Sequence, residues 1–407
     1  MSKSLRVRGS STEERQIAIY EKLQDGTIEF YCSNGYKTMT KSQFDDITSN
    51  PKTSSHMMIP KEKKDKDIRL MSLRKQYKLF IEEADKLKEI TKGKINLYKT
   101  GTVARTVLNL FYSYNVPLAE SISQEEMDII EMCKNGGIIW GKEYKGKAYK
   151  YDVVSQYPAI MRTDHMQFPI KRGELITLTK NEFQKLEYFK YGIYHVKVSN
   201  ADDRLFVTNQ NNWYTHTCLN RAKQLKYDLK LIEDDKPNFL SYEGKLINGA
   251  KLFRPYIDYL FEFKKAGHKE IKKYLNALWG KLCMLDKFEV ALNDNNPTVR
   301  DNGVLLQLLP SDDFTSFTAT IQRKGQTYNT NYARMKPFLA SKARYQMSVI
   351  NEKNVDSLVR CYIDGIILNK RIKDVTLGDK IGDLKFESKS KDCQILNARD
   401  ITGEWEN

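Results

Sequence analysis

Three short stretches carry residues that could do chemistry together. In "YKYDVVSQYPAIM", starting at Tyr149, a single carboxylate, Asp152, ends an apolar, strand-like run. Ser155, Gln156, Tyr157 and a proline follow it at short steps. In "YIDGIIL", Asp364 stands before a glycine between apolar residues that read as two buried strands joined by a tight turn. A carboxylate among such neighbours needs a cation, hydrogen bonds or a proton. Two aspartates offered from neighbouring strands could hold Mg²⁺, which prefers one or two carboxylates plus substrate phosphates over an all-protein cage. Paired ions of this kind serve nucleotidyl transfer, one activating a hydroxyl and the other steadying pyrophosphate. The third stretch, "KKYLNALWGK", lies in a long helix expected from about Pro255 to Leu282. On such a helix Lys265, Lys269, Lys272 and Asn276 share one face, and Asn276 neighbours Trp279 and Gly280. A row of ammonium groups suits a triphosphate; a solvated basic face is the alternative.

The composition agrees with a polyanionic partner. The 407 residues carry 67 Lys and Arg against 52 acids, a net charge of +15, and 24 tyrosines whose faces could stack on bases. Nucleic acid is therefore preferred over an anionic membrane surface. No apolar run is long enough to span a bilayer, and no secretory signal opens the chain. The six cysteines are scattered, without zinc-type spacing, and read as reduced core thiols of an intracellular protein.

The elements that must position these residues follow from periodicity. "DGTIEFYCSNGYKTMT" reads as strand, turn and strand, and "PKEKKDKDIR" as a solvated linker. "SLRKQYKLFIEEADKLKEI" is helical, with Leu73, Tyr77, Phe80 and Ala84 on one face. "TVARTVLNLFYSY" and "SQEEMDIIEMC" are further helices, the second opened by a capping box of Ser123 and Glu126. "CKNGGIIWGKEYKGKAYKYDVVSQYP" reads as loop, strand, turn and strand. A strand in "YGIYHVKVS" and a helix through "MKPFLASKARYQMSVI" complete the outline.

In order and spacing, the motifs resemble those of the family B DNA polymerases, in the protein-primed branch of phages, linear plasmids and mobile elements. Asp152-x-x-Ser155-x-Tyr157-Pro158 is similar to motif A. Lys272-x-x-x-Asn276-Ala277-x-Trp279-Gly280 is similar to motif B, with Ala and Trp for the usual Ser and Tyr. "CYIDGIIL" is similar to motif C, and "IGDLKFE" to the Gly-x-x-Lys-x-Glu stretch that follows it. Asn135, Gly136 and Gly137 resemble a Tyr-x-Gly-Gly loop, with Lys134 where the tyrosine belongs. The resemblance covers roughly residues 130 to 400.

It implies an α+β, right-hand architecture with an antiparallel-sheet palm, helical fingers and a small N-terminal α/β region. The expected boundaries are residues 1–70 for the N-terminal region, 71–130 for a helical region and 131–254 for the palm with motif A and a first insertion. Residues 255–282 would be fingers helices, 283–330 a second insertion, 331–385 palm with motif C, and 386–407 a short thumb remnant. Asp152 and Asp364 would be the catalytic carboxylates and, with the Val153 backbone, would hold two Mg²⁺ ions, replaceable by Mn²⁺. Ser155, Gln156, Tyr157, Lys265, Lys269, Lys272, Asn276 and Trp279 would meet the nucleotide, Tyr157 lying beneath the sugar. Asn135, Gly136, Gly137, Gly280, Lys281 and Lys385 would meet DNA. The implied partners are a DNA primer-template and deoxynucleotides, with a terminal protein or an accessory exonuclease beside them, and no membrane.

Three departures stand out. Tyr362 replaces the first acid of motif C. No Asp-x-Glu set for a 3′–5′ exonuclease is found before residue 130. The primer-gripping Lys-x-Tyr is missing near "CQILNARDI", where Ile395 and Asn397 stand. An inert nucleic-acid-binding protein on a polymerase scaffold and a template-independent nucleotidyltransferase are the competing readings.

Overall fold

A computed structural model describes residues 11, 13–23, 25–49, 56–62, 66–292, 303–310, 317–323, 328–372 and 375–406. Parts of the expected linker and of the second insertion lie outside these residues. The chain divides into two compact units, Met1–Val116 with Tyr256–Lys281, and Pro117–Pro255 with Leu282–Asn407. Among the described residues no helix is long and apolar enough to cross a membrane.

The first unit is built on a sheet ordered Gly35–Met39, Ile28–Cys32, Gln16–Lys22 and His56–Pro60, the last pair parallel. Alternation along "QIAIYEK" sends Ile17 and Ile19 to one face, where they are buried with Met57, Ile59 and Leu73. The helix Leu73–Ile90, capped by the Ser72 side chain, covers that face; Tyr77 and Phe80 pack there as their spacing predicts. Its Glu83 also pairs with Lys273 and accepts a 2.9 Å hydrogen bond from the Tyr274 hydroxyl, so the helix Ile271–Leu282 belongs to this unit.

The long helix expected from Pro255 to Leu282 is two helices, Gly249–Lys265 and Ile271–Leu282. The break is a glycine stop. Gly267 takes φ +90°, and the amides of Gly267 and His268 donate back to the carbonyls of Lys264 and Phe263. These are the paired bonds of a left-handed helix end. The single lysine stripe is thereby dismantled: Lys265 ends one helix and pairs with Glu262, Lys269 lies in the connection, and Lys272 begins the other helix.

The second unit holds a six-stranded antiparallel sheet. Its order is Ile401–Thr402, Leu384–Ile395, Tyr144–Val153, Gly365–Leu368, Leu358–Tyr362 and Ile139–Gly141. One face buries Tyr149, Tyr151, Val153, Ile366 and Leu368 with Met347 of the helix Lys336–Lys353. The other buries Ala148, Val359, Ile367, Cys393 and Ile395. The boundary expected at residue 386 therefore falls inside a strand. "LKFESKSKDCQI" pairs along Tyr144–Val153 because its own alternation offers a buried face. The boundary expected at 131 likewise cuts the helix Gln124–Met132. A second sheet, around Gly192–Ser199, packs against the helix His216–Gln224. All six cysteines are free and buried.

The capping box at Ser123 forms by half. Ser123 accepts from the Glu126 amide, but the Glu126 side chain turns into the core. There it accepts from Arg334 Nε at 2.6 Å and Nη2 at 2.9 Å, and from the Tyr242 hydroxyl at 2.8 Å. Arg334, 0% exposed, spends its remaining donors on the carbonyls of Glu120, Ser121 and Asn331. A buried pair with every donor used is costly to break from one side, because the surviving charge is stranded. Arg334→Met is expected to lower unfolding free energy by about 3–5 kcal/mol in chemical denaturation, and adding Glu126→Leu to recover part of that loss.

Candidate active site

Strand pairing brings the backbones at Asp152 and Asp364 to one end of the sheet. Asp152 lies near the end of Tyr144–Val153, and Asp364 in the two-residue turn between Leu358–Tyr362 and Gly365–Leu368. Gly365 is the register partner of Asp152, and the Val153 amide donates to the Asp364 carbonyl at 3.0 Å. A Cβ at position 365 would sit 3.2 Å from Asp152 Oδ1, so the first carboxylate lies over the residue that follows the second acid. Both aspartates are half-buried.

The turn that presents Asp364 is strained. Ile363 takes φ +62°, a conformation that branched side chains avoid. Such a residue costs about 1–3 kcal/mol and persists only where its surroundings hold it. Two contacts do so. The Ile363 amide donates to the Ile138 carbonyl at 2.9 Å, and Gly137 lies so close that an added Cβ would come 3.0 Å from Ile363 Cα. The loop before Ile138 is pinned in turn by Arg344, whose Nη1 donates to the carbonyls of Asn135 at 3.0 Å and Gly136 at 2.9 Å.

Tyr157 lies within electrostatic reach of the same groups. Burial pushes its phenol pKa up, the Arg344 guanidinium opposes that, and the Asp364 carboxylate adds to it. The Asp152 strand reaches Tyr157 through Ser155, held in the left-handed region at φ 50° and ψ 55°. The Val154 amide and carbonyl bond to Asp383 and Gly382 and fix this corner. The Gln156 side chain is 1% exposed and donates to the Ala343 carbonyl and to Gln346, so it turns toward the interior.

The donor set suits a hard divalent cation. Two aspartates at one end of a sheet supply anionic oxygens, and among the described residues no group of three or more His, Cys, Asp or Glu forms a full cage. Mg²⁺ fits such a pair when substrate phosphates supply further ligands. The Arg360 guanidinium stands 4.8 Å from the centre of the ring of Tyr362, two residues before Asp364, a cation–aromatic contact.

The other expected residues fall in both units. On Ile271–Leu282, Lys272, Asn276 and Gly280 are exposed and Trp279 and Lys281 half-buried, while Ile271, Tyr274, Leu275 and Leu278 are buried. Lys272, Asn276, Trp279 and Gly280 thus share an outward face within the first unit, which Lys265 and Lys269 do not continue. Lys385 pairs in register with Asp152, is exposed, and forms a 2.7 Å ion pair with Asp379 that raises its pKa.

Two residues with clear structural roles escaped the sequence reading, Arg344 and Ile363. Arg344 had a signal: Ser341, Arg344, Ser348 and Asn351 recur at helical spacing, all buried. A polar stripe inside an apolar helix marks a buried hydrogen-bonding duty. Ile363 had none. The Gly137 contact yields a paired test. Gly137→Ala is expected to cost about 1–3 kcal/mol in urea denaturation, because backbone must move. Gly136→Ala, with nothing within 4 Å of the added methyl, should be close to neutral.

Known proteins resemble the chain at low identity. No family model matches the chain. Over 263 residues it is 26% identical to a DNA polymerase of Acidianus bottle-shaped virus (isolate Italy/Pozzuoli), covering 63% of this chain and 35% of that protein. The chain thus spans about a third of the length of the curated relative it matches. Phi29 DNA polymerase complexed with primer-template DNA superposes with a TM-score of 0.60 at 17% identity, over 95% of this chain and 72% of that one. Its ternary complex with incoming nucleotides gives 0.57 at 16% identity, over 97% and 75%. The chain has the fold of Phi29 DNA polymerase.

Proposed function

We propose that the protein is a DNA-directed DNA polymerase of the protein-primed family B type, extending a 3′ or protein hydroxyl with deoxynucleotides. The observation that carries the reading is the register of Gly365 against Asp152, which sets two aspartates from distant sequence motifs side by side. The fold shared with Phi29 polymerase and the viral relative named DNA polymerase support it. The +15 charge supports a nucleic-acid partner.

In this reading Asp152 and Asp364, with the Val153 backbone, hold two Mg²⁺ ions. When bound, the ions ease deprotonation of the attacking hydroxyl and neutralise the leaving pyrophosphate. Tyr157 lies under the incoming sugar, where its rigid ring excludes a 2′-hydroxyl. Ser155 shapes the corner that receives the triphosphate. Lys272 meets phosphate oxygens as a point charge, Asn276 lines the nucleotide pocket, and Trp279 faces the nascent base pair. The Asn135–Gly136–Gly137 loop, Gly280, Lys281 and Lys385 contact DNA. Motif C keeps a single acid, with Tyr362 in the place of the other, so the substrate phosphates carry more of the coordination. The protein acts inside the cell in replicating a virus, plasmid or other mobile element. It has no 3′–5′ exonuclease of its own, and a terminal protein or separate nuclease serves as partner.

Extension of a labelled primer on a template, with Mg²⁺ or Mn²⁺, tests the reading. Asp152→Ala and Asp364→Ala are each expected to cut the rate on the order of a thousandfold while leaving the thermal melt in place. Wild-type extension by Asp364→Ala would refute the assignment. Salt-sensitive DNA binding without any incorporation by the wild-type protein would favour the inert scaffold instead.

A further inference from the structure

Two rows of cross-strand partners run side by side over the face of the six-stranded sheet that carries Asp152. Tyr362, Gly365 and Asp152 make the first row; Arg360, Ile367 and Lys150 make the second. Directly paired residues project to one side of a sheet, so the second row lies one side-chain repeat from the first on the same face. The contact between the Arg360 guanidinium and the Tyr362 ring agrees with this. The second row holds two cations, and they differ in what answers them. Lys150 pairs with Glu387 at 2.8 Å. Arg360 is half-buried, and its Nε donates to the Ala398 carbonyl at 2.7 Å. Among the described residues no hydrogen bond or ion pair takes its two terminal nitrogens. Burial pulls the guanidinium pKa down, and the groups that oppose this are Tyr362, Cys361 and Cys393, none of them a carboxylate.

A half-buried cation without a counter-charge is costly, and a bound anion relieves the cost. The register says which anion. Arg360 stands two strands and one side-chain repeat from Asp152, roughly 12 Å between Cα atoms. A nucleic-acid strand rises about 3.4 Å per nucleotide, so a strand ending at Asp152 has a phosphate beside Arg360 within about four nucleotides of its end. Direction selects the strand. Arg360's row lies back along Tyr144–Val153 from Asp152, whereas Ser155 and Tyr157, assigned above to the nucleotide, lie onward from it. The strand that crosses Arg360 is therefore the one carrying the attacking hydroxyl. A planar guanidinium held at Nε keeps a fork of N–H groups for two phosphate oxygens, which a lysine could not match. We propose that Arg360 is a positioning residue for the primer, binding one phosphate near its 3′ end while the Ala398 carbonyl and the Tyr362 ring hold the guanidinium in place. The proposal rests on the polymerase reading of the site.

Primers carrying one neutral methylphosphonate, moved linkage by linkage from the 3′ end, test this through equilibrium binding of the primer-template to the full chain with Mg²⁺ and no nucleotide. One linkage within about four nucleotides of the end is expected to weaken wild-type binding roughly tenfold. Arg360→Met should bind the unmodified primer roughly tenfold more weakly and lose the response at that linkage alone. It should also lower the slope of log affinity against log salt by about 0.9, and Arg360→Lys should restore the slope with part of the affinity. A side chain that only braced the Ala398 carbonyl would move neither the slope nor the linkage pattern. A wild-type scan that is flat near the 3′ end, a response that survives in Arg360→Met, or coupling to template linkages instead would each overturn the proposal. Binding is read without incorporation, so primer extension by the wild-type protein reports separately on the polymerase reading. Normal extension with a flat scan would strike the Arg360 contact alone.

Discussion

Everything proposed for the active site depends on one antiparallel pairing, Tyr144–Val153 against Gly365–Leu368. The side-chain period in a strand is two residues, so a slip of one position would turn Asp152 to the other face of the sheet. Tyr149, Tyr151, Val153, Ile366 and Leu368 prevent the slip, since each belongs to the buried cluster beneath the helix Lys336–Lys353. The core does not merely support the carboxylates. It fixes which residues of the two strands stand opposite each other.

The second constraint is the tension between a strained turn and what holds it. Ile363 occupies a left-handed conformation that a glycine would adopt more readily. The surroundings impose it through the Ile138 carbonyl and the close approach of Gly137, and Arg344 anchors the loop before them. Residues more than 200 positions apart therefore set the position of Asp364. The same Arg344 acts electrostatically on Tyr157, so one buried cation influences the loop, the turn and the phenol.

Much of this was legible in the sequence because it was local. The hairpin at Tyr362–Gly365, the strand ending at Asp152 and the helix Lys336–Lys353 follow from apolar periodicity and turn residues. The long helix was misread although its stop signal was present, since "KKAGHK" carries the glycine that closes the helix at Lys265. The boundary expected at residue 386 falls inside Leu384–Ile395 because a strand's pairing partner is not written in its own residues. Glu126 looked like half of a capping box, and only the fold reveals Arg334 as its stronger partner. What the sequence withheld was long-range: partners, registers and the strain at Ile363.

The central claim is that Asp152 and Asp364 share a divalent-cation site. Site-directed cleavage by iron tests it without relying on catalysis. Fe²⁺ is substituted for Mg²⁺ in the presence of primer-template and nucleotide, and ascorbate with peroxide generates radicals where the ion sits. The account predicts backbone cuts beside both residue 152 and residue 364, suppressed together by excess Mg²⁺. Cuts near one aspartate alone, or near neither, would contradict it.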